Sequence, residues 1–305
     1  AGQSGGKLTE KGAAFLDPDG HLQAGALCCP PEGDAGTGMV ATNAVREGTG
    51  NVSCGTSIFS MIVLEKALKD YYPEIDIVTT PNGKDVAMVH CNNGTPELDS
   101  WILLFHKLMT YGGVEVSMDE AYDYLFNLAL EADKTCGGIQ AFNYLAAEPV
   151  AKIEKPYPLY YRTADSRLNA ENFLLAQLYA IFASLKLGVD LLKEAQVSIH
   201  KLVGHGGVFK TKKVMAKILA SILEAPVATY DSAGEGGAWG IAVLARYAYE
   251  KSDDSFESYV DKIFEQNNRA SIEEADPDIV KGFTQYFDSY KKSLEKLRAL
   301  QALEM

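Results

Sequence analysis

The sequence predicts an α/β protein: a mixed sheet with helices on both faces, followed by further helices. Three observations predict it. Three β-prone runs follow one another closely, at 51–57, 59–64 and 86–91. Short apolar runs then alternate with helical periodicity, at 197–203, 211–224, 227–230 and 236–250. Strands that alternate with helices pair in parallel and carry the helices on the sheet faces. Beyond residue 276, Ile279, Phe283, Phe287 and Leu294 form one stripe of a terminal helix running to about Leu303.

The elements can be justified in order. The runs 51–57 and 59–64 are separated by almost nothing, so they form a tight hairpin. Residues 96–111 repeat apolar side chains with helical period and place Leu98, Trp101, Ile102, Phe105 and Leu108 on one face. Ser117 stands three residues before Glu120, the spacing of a capping box. Residues 138–167 hold Pro149, Pro156 and Pro158 among tyrosines and read as irregular, with the aromatics at 157–161 as packing. A long helix covers about 169–195. Asp276 is an N-cap, with Pro277 at the first helical position. Three antiparallel strands followed by two βα crossovers resemble a ribonuclease H-like half of the actin-like ATPases.

Composition narrows the function classes. Of 305 residues, 47% are hydrophobic and 23% charged, which is globular. Lys+Arg is 28 against Asp+Glu 41, a net charge of −13, and no basic patch offsets it. That argues against a nucleic acid partner. The longest apolar run, 173–183, is interrupted by Gln177 and is too short to span a bilayer, and the start holds no apolar signal core, so no membrane partner is expected. Five cysteines, at 28, 29, 54, 91 and 136, form no CxxC pair. That supports neither a disulfide framework nor a zinc ribbon and reads as a reduced, cytoplasmic protein. Cys28 and Cys29 read as buried thiols at a strand end. Residues 1–45 are Gly-rich and too short for a domain. They read as the tail of a preceding domain that carries the catalytic-Asp loop, and 46–305 as the next domain with a helical C-terminus. Without an initiator Met, the chain reads as a piece of a longer protein.

Four glycine-rich segments could carry chemistry. PEGDAGTG at 31–38 surrounds Asp34 with Gly33, Gly36 and Gly38, so a ligand can approach the carboxylate, which could take a proton from a hydroxyl. The competing reading is that Asp34 caps the next helix. Gly55, Thr56 and Ser57 at the hairpin tip offer N–H and O–H donors to phosphate oxygens, or form an ordinary turn; no Walker A loop is present. GHGGVFKT at 204–211 lies between a strand and a helix, where Gly206 and Gly207 let backbone lie against a ring or a phosphate. His205 there reads as a loop histidine, and Lys210, Lys212 and Lys213 as a solvated helix start. Residues 233–240, rich in Gly and Ala, permit close helix–sheet packing and could wall a nucleotide cleft. His90 and Cys91 have no second ligand pair at useful spacing, so no metal site is expected there.

These segments, in this order, resemble the FGGY family of carbohydrate kinases from about Leu8 to Tyr249. GKLTEKG at 6–12 looks like the family's GxLtxxaA, PEGDAGTG like GGxDxxxG, and 51–57 like its strand ending in GTS. NYLAAEP at 143–149 resembles PYLxGExxP, 204–211 the GGGAxS adenosine segment, and EGGAWGIA at 235–242 the ExxAxGAA segment. The resemblance implies ATP with Mg²⁺ and a sugar substrate, and a pentulose kinase of xylulokinase or ribulokinase type. Asp34 would be the general base, Thr56, between Gly55 and Ser57, would touch the ATP phosphates, and Gly206, Gly207, Val208 and Thr211 would form the adenine-side wall. His205 stands where the family has glycine, and Val208 where it has alanine. Family members begin with another actin-like half that carries a first phosphate loop. Without that partner half, this chain alone should have negligible activity. A homodimer is a further possibility. The rival readings are a non-catalytic actin-like sugar or nucleotide sensor, and a Rossmann oxidoreductase, against which the missing GxGxxG counts.

Overall fold

Apolar alternation along short segments builds the sheet and sorts its two faces. In the computed structural model, residues 1–211, 213–230, 236–267 and 270–303 are described. In chain order, β1 (Gly6–Lys7), α1 (Glu10–Leu16) and β2 (Leu27–Cys28) precede α2 (Asp34–Ala41). Then come β3 (Thr49–Cys54), β4 (Ile58–Val63), β5 (Asp76–Thr79), β6 (Asp85–Cys91), α3 (Pro96–Tyr111) and α4 (Met118–Ala129). A short pair, β7 (Gln140–Phe142) and β8 (Leu159–Tyr161), leads to α5 (Ala170–Glu194), β9 (Lys201–His205), α6 (Val214–Leu223) and β10 (Val227–Tyr230). The chain closes with α7 (Gly236–Glu250), α8 (Phe256–Asn267), β11 (Ala270–Glu273) and α9 (Pro277–Leu303).

Among the described residues, seven strands form one sheet in the order β11-β10-β9-β3-β4-β6-β5. β3, β9 and β10 are parallel; the other neighbours are antiparallel. This is the predicted mixed sheet: a three-strand meander joined to two parallel crossover strands. Val52, Ile58, Ile62, Ala87 and Val89 face one core with α3, α4, α5, α6 and α9. Met61, Val63 and Val86 face the other, closed by Met39 and Val40 of α2, Val243 and Leu244 of α7, and Val260 and Phe264 of α8. Period-two strands sort their side chains to opposite faces in this way.

Several boundaries differ from the sequence reading, each for a local reason. The strand expected over 197–203 begins at Lys201, because Gln196 turns into the left-handed region (φ 61°) and Val197 donates back to Leu192 to close α5. Residues 207–210 form a short 3₁₀ turn before α6 starts at Val214. The edge strands β5 and β11 were not anticipated: both are four residues long and largely exposed, with no apolar run. Leu108, expected on the buried face of α3, is 60% exposed, while Leu98 and Ile102 are buried. Cys28 and Cys29 are half-buried rather than buried.

The apolar run at 173–183 also needs correction. It sits inside the 25-residue α5, which is long and apolar enough to cross a membrane by length and composition. Most of its apolar window is buried inside this fold, against the sheet and its neighbouring helices, as a helix that is apolar all round must be.

The terminal helix docks on its own domain. Ile279, Phe283, Phe287 and Leu294 are buried, and Tyr290 stacks on Phe142 with centroids 4.7 Å apart. Asp276 starts it: its carboxylate accepts from the Asp278 and Ile279 N–H groups and pairs with Lys217 on α6 at 2.9 Å. The Lys217 ammonium, ahead of the helix amides, holds this carboxyl below the usual aspartate value. We expect Asp276→Ala to cost about 1 kcal/mol in chemical denaturation, the usual price of a lost cap. Asp276→Asn should cost less. The Asp276 contribution is present above the unfolded-state carboxyl pKa and fades as pH falls toward the folded one, so the gap between parent and alanine variant should narrow in acid.

Candidate functional site

The C-terminal ends of β3 and β9 lie side by side, and the loops that leave them are built from residues with no room for side chains. Gly206 has φ 112°, and a Cβ there would stand 2.1 Å from the Cys54 carbonyl oxygen. Gly94, just after β6, is as tight: a Cβ would stand 2.1 Å from the Gly55 carbonyl oxygen. The hairpin tip 55–57 is tied to that loop by Gly94 N–H to Thr56 O at 2.8 Å and Thr95 N–H to Gly55 O at 2.9 Å. Gly55 and Gly207 face open space instead.

That open space is a cavity of about 610 Å³. Gly55 and Thr56 line it from the hairpin, and Gly207, Val208, Lys210 and Thr211 from the strand–helix turn. Ser57 and Gly206 are not in the lining; Gly206 supports the turn from behind. The third wall comes from α3 and α4: Thr95, Asp99, Asp119, Tyr122, Asp123 and the buried Phe126. Asp99 is held by the Thr95 hydroxyl at 2.8 Å and the Tyr122 hydroxyl at 2.7 Å. Burial, then the bond to Asp99, pushes the Tyr122 phenol up, so it remains a donor. The α4 wall escaped the sequence reading. The capping box at Ser117 is present, with Glu120 Oε2 2.9 Å from Ser117 N, but it fixes where the helix starts and not which edge it flanks.

The cavity offers hydroxyls, one lysine, an apolar slot and three carboxylates. Burial keeps Cys54 firmly a thiol and holds the neighbouring His205 below the usual imidazole value, so it is neutral. Lys212 and residues 233–235, with Glu235, lie outside the described residues. Gly237 and Gly240 of the segment after them serve a different contact from the one expected. A Cβ at Gly240 would stand 2.0 Å from the Thr37 carbonyl oxygen, so these glycines bring α7 against α2, helix on helix, rather than onto the sheet.

Asp34 opens α2, but Gly33 holds the capping position, without a side-chain cap. The Asp34 carboxylate is exposed and accepts the Ala35 N–H at 2.8 Å. α2 runs back along β3: Gly38 lies level with Asn51, and the Asn51 amide reaches Thr42 Oγ1 at 3.4 Å. α2 packs on the opposite face of the sheet from α3 and α4. Asp34 does not line the cavity. Elsewhere, Asp17, Asp19 and His21 form an exposed group whose ligand atoms lie within 4.8 Å of one another.

We expect Gly206→Ala to lower the thermal midpoint, since it forces both a positive φ and a backbone clash; such strain costs of order 1–3 kcal/mol. Gly207→Ala should leave the midpoint within a degree or two, since a Cβ there meets only open space.

The profile of the FGGY family of carbohydrate kinases, C-terminal domain, matches residues 50–249. No curated protein sequence matches the chain. Among solved structures, it is similar to xylulose kinase from Rhodospirillum rubrum (TM-score 0.77, 18% identity), over 98% of this chain and 56% of that one. It is also similar to Plasmodium falciparum glycerol kinase with ADP (0.67, 16%), over 92% and 52%. Gluconate kinase from Lactobacillus acidophilus gives 0.67 and 16%, over 87% and 50%. The chain thus spans about half the length of these structures.

Proposed function

This chain belongs to the FGGY family of carbohydrate kinases, and from that premise we propose that it is the nucleotide-binding, C-terminal part of an enzyme that moves the γ-phosphoryl group of ATP onto a sugar hydroxyl. The sugar we propose is a pentulose such as xylulose or ribulose. One observation carries the reading: two glycine turns remote in sequence, at Gly55 and Gly207, open into the same cavity.

The cavity lining offers partners to both ends of a nucleotide. Phosphates suit the N–H and O–H donors of the Gly55–Thr56 tip, and Lys210 supplies a cation to the same cavity. The base suits the part of the lining with Val208 and Tyr122, and the carboxylates of the same cavity can accept from an exocyclic amine. Mg²⁺ would arrive with the triphosphate. The residues at the tip offer hydroxyls and no carboxylate, and the three cavity carboxylates do not converge closely enough to share an ion, so the described residues do not fit a resident cation by themselves. Asp34 is free of ion pairs with the described residues. It would accept the sugar hydroxyl's proton as the oxygen attacks the γ-phosphorus and the bond to ADP breaks. The other wall of the cleft would come from a second half of the kind found in the longer relatives, and without it turnover should be negligible.

The test is sugar-dependent ATP turnover by the intact enzyme carrying this chain. Asp34→Ala should reduce kcat by ~10²–10⁴ while leaving ATP affinity intact. Turnover near the parent level would remove Asp34 from its role. Binding of NAD in preference to ATP would overturn the kinase reading.

A further inference from the structure

Glu148 is fully buried, makes no ion pair with the described residues, and lies in a segment that forms no part of the cavity. One carboxyl oxygen, Oε2, accepts twice from Asn93: from its backbone N–H at 3.2 Å and its side-chain amide at 3.0 Å. The other, Oε1, has no hydrogen-bond partner among the described residues. A buried acid of this kind is expensive to keep, since burial of the charged form costs several kcal/mol unless it is compensated. Burial pushes the Glu148 carboxyl up, against the Asn93 bonds that lower it.

Asn93 spends its remaining polar atoms on the same segment. Its side chain accepts from Ala146 N–H at 2.8 Å and donates to Ala146 O at 3.1 Å. Asn143, also buried, donates to Asn93 O at 3.2 Å and to Gly94 O at 3.0 Å. Every polar group of the 93–94 peptide is thereby committed. The next two N–H groups, of Gly94 and Thr95, are the pair that bind the Thr56 and Gly55 carbonyls. A continuous hydrogen-bond path thus runs from Glu148 through Asn93 and Gly94 to the hairpin tip. Thr95 extends it into the cavity wall through Asp99.

We propose that Glu148, with Asn93 and Asn143, is a positioning group for the phosphate side of the cavity. It fixes the Gly94–Thr95 peptide and so sets where Gly55 and Thr56 stand. The nucleotide part of this inference rests on the reading under Proposed function; the positioning part rests on the hydrogen bonds alone. Two adjacent asparagines and a glycine leaving a strand would otherwise hold a floppy turn, and the tip has no other bonds to the body of the protein among those described beyond the β3–β4 ladder.

Two readouts on the full chain test it. In the first, ATP with Mg²⁺ is titrated by equilibrium dialysis well below the thermal midpoint. Glu148→Ala should weaken ATP about tenfold, the scale of one buried polar group left unpaired. Glu148→Gln, which keeps an acceptor for Asn93 and carries no charge, should recover most of that loss. In the second, amide hydrogen exchange is followed residue by residue. Glu148→Ala should speed exchange at Gly94 and Thr95 by about tenfold or more relative to the β9–β10 ladder. A Glu148→Ala chain with parental ATP affinity and parental exchange at both amides would overturn the proposal, as would equal losses in the alanine and glutamine variants. Were Glu148→Ala not to fold, Asn93→Ala breaks the same path from its other end and is read in the same two ways. A parent chain that takes up no ATP would sink the nucleotide reading, while the exchange rates would still decide whether Glu148 sets the tip.

Discussion

Backbone meets backbone at the edge of this sheet, and the rest of the site depends on that contact. The Cys54 carbonyl lies where a Cβ at Gly206 would be, and the Gly55 carbonyl where a Cβ at Gly94 would be. Three loops, from β3, β6 and β9, can therefore converge to within hydrogen-bonding distance of one another. A side chain at either glycine would spread them, and the cavity between Gly55 and Gly207 would lose its floor. Gly55 and Gly207 are glycines for another reason: they leave the cavity side bare. One residue type does two jobs in neighbouring positions, closing the back of the loops and opening the front.

A second close approach holds Asp34. Thr37 of α2 lies against Gly237 and Gly240 of α7, and Met39 and Val40 on the same helix sink into the lower core. The helix is thus fixed on the sheet by its apolar side, with the Asp34 carboxylate exposed at its start. An exposed carboxylate at the end of a helix held in this way keeps its hydration while its backbone position is determined. Arg46 and Asn43 add to this from the helix's far end by gripping Asp261 of α8. The layer that carries the candidate base and the layer that walls the cavity share only the sheet between them.

How much of this the sequence disclosed follows from the range of each signal. The meander, its hairpin and the two crossovers were legible because strand alternation and turn glycines act within a few residues. Gly55, Thr56 and Gly207 were legible as donors and bare backbone, Val208 and Thr211 only through the family resemblance, and the cavity brings these five together. Asp119, Tyr122 and Asp123 were not, because their role depends on where α4 packs against α5, and nothing in a capping box encodes that. β11 was missed because an exposed edge strand has no apolar pattern to show. The helix-on-helix use of Gly237 and Gly240 was read as helix on sheet, since small residues announce a close approach without naming the partner.

Charge gives the cavity its polarity. The chain carries −13 overall, and the α3–α4 wall adds three carboxylates to a site proposed to receive a polyanion. Taken as a sum, that would repel a nucleotide, but part of the charge is already engaged. Asp99 already has its two oxygens engaged by Thr95 and Tyr122, which draws its charge into local hydrogen bonds. Lys210 stands on the opposite wall beside Gly207 and Val208. A polyanion proposed to bind here therefore has reason to bring its own counter-ion, since one lysine does not balance the carboxylates that line the cavity with it among the described residues.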